Sequence, residues 1–195
     1  CGIRALVESA GQTGRGLDSY DIAFRIAPML NAAGRMGHAR LAVELLTTDS
    51  ELRAERIADY LKHQNHQRRQ CERKIFKQVC EMIADRGLHH PDRRTIVVAG
   101  ENWHTGVIGI VASRVAEKYH RPTIIINLAE HTSQGSGRSI DGFDLFEAVA
   151  ACAEHLVGFG GHEMAAGITI ETAKIAQFAS DFEDRARLKL TDEDQ

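Results

Sequence analysis

The chain has 195 residues, 43% hydrophobic and 26% charged, with a formal net charge of −3. That length carries one good core or two small ones, and the composition is that of a soluble globular protein. No apolar run approaches the roughly 20 residues of a membrane span and no signal peptide is visible, so a membrane partner is not expected. Cys1, Cys71, Cys80 and Cys152 form no CxxC pair, which argues against a disulfide framework or a zinc knuckle and for a reducing, cytoplasmic setting. The small net charge gives no global pull toward nucleic acid, so any such site must be local. A start at Cys1 is expected of a domain excised from a longer protein.

In chain order, residues 2–11 predict a short helix with Ile3, Leu6 and Val7 on one side, followed by a Gly-rich loop over 11–16. In "DIAFRIAPMLNAAGRMG", Pro28 interrupts any helix, and Gly34 and Gly37 bracket Arg35 on a bend. The next segment, residues 47–87, predicts one long helix of roughly 55–60 Å. Thr48 and Glu51 stand in capping-box spacing, and Gly87 is placed to end the helix. Its apolar stripe runs Ala54, Ile57, Ala58, Leu61 and resumes at Ile75, Val79, Met82 and Ile83. Between them the stripe carries Asn65, Arg68 and Glu72, so the helix reads as a connector whose ends are buried in two bodies. Its waist is basic, with Lys62, His66, Arg69, Arg73 and Lys77 among the cations. That pattern is either a solvated face or a wall beside a nucleic-acid strand.

From Arg93 the pattern changes to α/β, with buried strands at "RTIVVAG" and "RPTIIINL" and helices at "HTGVIGIVASRVAEKYH", "DLFEAVAACAEHL" and "TAKIAQFASDFEDRARLKL". Residues 134–139 predict a third, polar strand or a turn, and Asp144 is placed as an N-cap. "FGGHEMAAGITI" reads as a Gly-rich loop running into a strand, and "TDEDQ" as a disordered tail. The fold class expected is α/β, a mixed sheet flanked by helices and preceded by a long connector helix.

Four Gly-bearing stretches place glycine beside a residue able to hold an anion. They are "NAAGRMG" with Arg35, "ENWHTGVIG" with His104, "QGSGRSIDG" with Ser136, Arg138 and Ser139, and "FGGHEMAAG" with His162. Glycine lets backbone N–H groups turn toward a ligand, and arginine clamps phosphate oxygens in a fork. If residues 136–138 are extended, Ser136 and Arg138 point to one face and could share a phosphate. A Gly-Ser-Gly can equally be an ordinary turn. His104 can be a surface-loop histidine beside an interfacial Trp103, and His162 a satisfied histidine behind a tight turn. No HxH or HExxH occurs, and "LHHP" reads as an exposed loop.

Taken together, these stretches resemble the RecJ family of 5′-to-3′ single-strand-specific DNA exonucleases, within the DHH phosphoesterases. "APMLNAAGRMGHARLAVELLTTD" resembles the segment leading into that family's connector. "GENWHTGVIGIVASRVAEKYHRPTIII", "GSGRSIDGFDL" and "FGGHEMAAGITI" resemble its DHH-associated domain. Thr105 stands where proline is usual and Met29 where a basic residue is common, which would weaken one backbone contact. The resemblance implies that residues 1–46 are the tail of a DHH domain and a bridging segment, 47–87 the connector, and 93–190 a DHH-associated substrate-binding domain. It implies single-stranded DNA with a 5′-phosphate as partner, together with the DHH domain of the same protein. Arg35, Ser136, Gly137, Arg138 and Ser139 would hold the terminal phosphate. Gly160, Gly161 and His162 would face the reacting end, and His104 would bind or support substrate. The family's Mn²⁺ (or Mg²⁺) ions sit in the DHH domain. No Asp-His-His occurs in this chain, so no metal is expected on it, and the chain alone is expected to be inactive. Alternatives are a DHH-family phosphodiesterase of short oligoribonucleotides or cyclic dinucleotides, and a stand-alone RNA- or protein-binding module.

Overall fold

The computed structural model describes residues 1–14 and 16–190. The expected disordered tail therefore lies outside the described residues, as does Arg15 of the Gly-rich loop. The chain forms two compact units, one ending at Cys71 and the other beginning at Glu72.

The first unit is helical. Helix α1 (Gly2–Ser9) is followed by a single turn, α2 (Ser19–Asp21), capped by the Asp18 carboxylate on the Asp21 N–H. A π-helical turn (Ile22–Ile26) leads into α3 (Ala27–Arg35), and α4 (Ala39–Thr47) comes next. Pro28 is the second residue of α3, directly after the π turn, and it cannot donate to the helical ladder there. The helical path therefore continues through the proline by widening one turn ahead of it. Leu6, Met29, Ala33, Leu45, Ile57 and Leu61 form the core of this unit. Met29 is buried there, so the missing basic residue is a core position and not a lost surface contact.

The long helix α5 runs Glu51–Asp85, and the boundary between the units falls inside it. Ser50 caps its start: its hydroxyl accepts from the Arg53 N–H at 3.3 Å, and its carbonyl accepts from Ala54. Thr48 instead accepts from the Ser50 N–H, so the expected cap lies two residues too early. At the other end Gly87 takes φ +63, with Leu88 N–H bonding Ile83 O and Gly87 N–H bonding Ala84 O. This is the paired closure that a left-handed glycine permits. Ile75, Val79 and Ile83 are buried, whereas Met82 is only half-buried.

The second unit is a five-stranded sheet in the order β1-β2-β3-β5-β4. Its elements are β1 (Ile96–Glu101), α6 (Thr105–Tyr119), β2 (Thr123–Leu128), β3 (Thr132–Arg138), α7 (Leu145–Ala150), β4 (Leu156–His162), β5 (Ala165–Glu171) and α8 (Ile175–Lys189). Strands β1 and β2 pair in parallel across the α6 crossover, and the remaining pairs are antiparallel. The α/β class and mixed sheet expected from sequence are what is found. Strand β4 takes Phe159–His162, read as a Gly-rich loop, and also Leu156, read as the end of a helix that in fact stops at Ala150, and it closes on β5 through a two-residue turn at Glu163 and Met164.

One sheet face is covered by α7 and α8. Ile124, Ile126, Ile168 and Ile170 pack there with Leu145, Phe178 and Phe182. Asp144 caps α7, accepting from the Glu147 N–H at 2.8 Å. The buried Glu183 ties α8 to the start of β1 by accepting from the N–H groups of Arg94 and Thr95 and the Thr95 hydroxyl. The opposite face receives α6 over β2 and β3.

Candidate nucleic-acid interface

Residues paired across strands share a sheet face, and side chains alternate along each strand. The register therefore sorts β3 without ambiguity. Gly135 and Gly137 point into the α7–α8 core: a Cβ on Gly135 would lie 2.8 Å from Ile168 Cγ1, and one on Gly137 would lie 3.0 Å from Leu145 Cδ2. Their glycine identity serves packing, and their place in a paired strand means they do not form a loop around an anion. Ser136 and Arg138 point the other way, toward α6.

On that face the pairing produces rows. Arg138 stands opposite Ala165, which stands opposite His162. One row along, Ser136 stands opposite Gly167, which stands opposite Gly160. Strands are spaced by about 4.8 Å, so Arg138 and His162 are roughly 10 Å apart at the backbone. Between them the floor is Ala165, Gly167 and Gly160, with nothing larger than a methyl group. No heavy atom lies within 4 Å of where a Gly160 Cβ would stand, so this floor is open.

The Arg138 guanidinium donates through Nη1 to its own Gly137 carbonyl at 2.7 Å and to Ser136 Oγ at 3.2 Å. Hydroxyl and guanidinium are thus already joined as one donor cluster. Two depressions meet at this pair. One, of about 370 Å³, includes Ser136, Thr105, Gln134, Gly158 and Thr169. The other, of about 450 Å³, is lined by Arg138, Ser113, His120 and Met164 and also by the carboxylates Glu117 and Asp141.

The other candidates fall in different places. The Ser139 hydroxyl is buried and donates to the Phe143 carbonyl at 2.5 Å, holding the turn before α7. Gly161 has φ +154, and a Cβ there would meet Ala165 O at 2.1 Å, so its role is the close approach of β4 to β5. His162 is exposed, with Nδ1 accepting from the Met164 N–H at 3.3 Å. His104 caps α6: Nδ1 accepts from the Gly106 N–H at 3.1 Å, which puts the proton of a neutral ring on Nε2. Trp103 is not interfacial. It is buried over Gly100, and its indole N–H donates to Gln78 Oε1 at 2.9 Å. His89 and His90 are exposed and stacked, as expected of that loop. Arg35 belongs to the first unit, exposed in the last turn of α3.

Sequence reasoning missed one titratable cluster. Among the described residues, Glu154, His155 and Asp181 bring potential ligand atoms within 4.8 Å of one another. His155 Nε2 already bonds Asp181 Oδ2 at 2.6 Å. Three such groups could hold one ion and are too few for a two-ion centre. Burial, and then the charge of Asp181, pushes the neighbouring Cys152 thiol up to about 11, which removes it as a nucleophile.

The DHHA1 domain family matches residues 92–188. RecJ from Bacillus subtilis, named a single-stranded-DNA-specific exonuclease, is 36% identical over 195 residues, covering 99% of this chain and 24% of the relative. The chain is homologous to the RecJ family. RecJ from Escherichia coli is 34% identical over 197 residues, covering 93% of this chain and 32% of the relative. The chain therefore spans about a quarter to a third of such RecJ proteins. Among solved structures, RecJ from Thermus thermophilus in complex with Mg²⁺ superposes with TM-score 0.85 at 32% identity, covering 98% of this chain and 29% of that one. An exonuclease RecJ bound to manganese gives TM-score 0.82 at 31% identity, covering all of this chain and 49% of that one.

Proposed function

We propose that this chain is the substrate-binding part of a RecJ-type exonuclease that degrades single-stranded DNA from a 5′-phosphorylated end. The observation that carries the reading is the sheet face beside α6 on which Ser136 and Arg138 form one donor cluster, in register with His162 across a floor of Ala165, Gly167 and Gly160. A terminal phosphate offers two charges and three acceptor oxygens, which suits a guanidinium fork with a hydroxyl beside it. A floor with nothing larger than a methyl group lets the strand approach the sheet closely, and the exposed His162 imidazole then stands where the sugar-phosphate backbone would pass. Arg35, on the first unit, is proposed as a further cation for the same terminal phosphate.

Hydrolysis belongs, in this proposal, to a DHH domain carrying Mn²⁺ or Mg²⁺. Those ions supply an activated water and charge stabilisation at phosphorus. The residues of this chain bind and orient the strand. The setting proposed is cytoplasmic: all four cysteines are free thiols, and no helix among the described residues is long and apolar enough to cross a membrane.

The test is Arg138→Ala, read as the ratio of dissociation constants for the same single strand with a 5′-hydroxyl and with a 5′-phosphate. Loss of one charge-assisted clamp should lower that ratio by about tenfold or more. An equal loss of affinity for both ends would remove the phosphate assignment.

A further inference from the structure

The Ser136–Arg138 pair does not stand alone on its strand; it lies against one turn of α6. Beside the pair, α6 presents a stripe of small residues, Thr105, Gly109, Ser113 and Ala116, spaced by four, four and three residues, with Ile108 and Glu117 flanking it in the same depressions. Thr105 lines the depression beside Ser136, and Ser113 and Ala116 line the one beside Arg138. Gly109 lies between them. A Cβ at Gly109 would lie 2.9 Å from Ser136 Oγ and 3.1 Å from Arg138 Nη2. The guanidinium and the hydroxyl therefore occupy the space that any other residue would fill.

Glycine is a poor choice for a buried interior position, the fifth of a fifteen-residue helix. Neither a turn nor a positive φ requires it here, since Gly109 is absent from the left-handed residues. What its absent side chain does is leave a seat for the donor pair. We infer that Gly109 is a positioning residue for phosphate recognition: it lets Arg138 and Ser136 rest against the backbone of α6 as one fixed donor cluster. This rests on the reading of the pair as the 5′-phosphate clamp.

The physical consequence is unusual for a buried substitution. The atoms a new methyl group would meet are a hydroxyl that rotates and the far end of an arginine, not backbone. Gly109→Ala should therefore be relieved by turning those two side chains away, while alanine favours the helix. The variant should be at least as stable as the parent and yet discriminate less between ends.

The experiment measures binding of the 195-residue chain to a 3′-labelled single strand bearing either a 5′-phosphate or a 5′-hydroxyl, alongside a thermal unfolding midpoint. Gly109→Ala should lower the affinity ratio by about tenfold, as loss of one charge-assisted hydrogen bond does, at an unchanged or higher midpoint. Val115→Ala, buried in the same helix away from the pair, should lower the midpoint and keep the ratio. A Gly109→Ala chain that keeps the ratio overturns the inference, and so does one that fails to fold. Arg138→Ala separates the two levels. If it abolishes the ratio while Gly109→Ala preserves it, only the positioning role falls. If it too preserves the ratio, the clamp itself is wrong.

Discussion

Glu183 offers a sharp quantitative test of how the second unit is held together. Its carboxylate accepts from Arg94 N–H at 2.9 Å, Thr95 N–H at 2.9 Å, Thr95 Oγ1 at 2.6 Å and Arg187 Nε at 3.1 Å. Burial pushes its pKa up, but the Thr95 hydroxyl, the backbone N–H groups and the charge of Arg93 outweigh that and leave it below the ordinary value. A carboxylate depressed in the folded state stabilises the fold above its unfolded pKa, and that contribution disappears as pH falls through the lower, folded one. Glu183→Gln keeps the shape but leaves one oxygen where two accepted, so two donors lose their partner. At about 1–3 kcal/mol for each buried unsatisfied group, with partial relief by rotation of the Thr95 hydroxyl, the variant should lose about 2–4 kcal/mol at neutral pH. The chain has one tryptophan, Trp103, and it lies buried in this unit, so urea unfolding followed by its fluorescence reports this unit directly. Below the carboxylate range the parent is protonated and resembles the variant, so the difference should shrink. A difference that is negligible at pH 7, or that persists undiminished in acid, would refute the anchoring account.

Two glycines of β4 should separate cleanly. Gly161→Ala meets the Ala165 carbonyl, which cannot rotate away, at a φ that side chains rarely adopt, and should cost about 2 kcal/mol in denaturant unfolding. Gly160→Ala projects into open space and should stay within about 0.5 kcal/mol of the parent in the same measurement. Incubated with Mn²⁺ and a 5′-phosphorylated single strand, the chain by itself should release no mononucleotides on a denaturing gel. Stepwise release would place a hydrolytic centre within these residues.

The long helix was legible because its 3.6-residue stripe and Gly87 stop act locally, and the alternation of Ser136 with Arg138 was legible once the strand was granted. The misreadings have physical sources. Gly135 and Gly137 look like anion-cradling loop residues, but their small size answers to Ile168 and Leu145, distant in sequence. Strand β4 has three glycines among its seven residues, with no β-branched run to announce it. It forms because β5 offers a backbone edge and Gly161 tolerates the close approach. Ser139 and Thr48 each carry a hydroxyl able to serve a site or a cap, and only the folded backbone shows which carbonyl or N–H it meets. The seat provided by Gly109 depends on a helix and a strand separated by more than twenty residues, which no local pattern records.

The central claim concerns where a terminal phosphate sits. Titrating the ¹⁵N-labelled chain with a short 5′-phosphorylated single strand, and following amide shifts against the 5′-hydroxyl strand as reference, addresses it most directly. End-specific shifts should cluster at residues 136–138 and at Gly109. End-specific shifts centred on α7 and α8, with β3 unmoved, would contradict it.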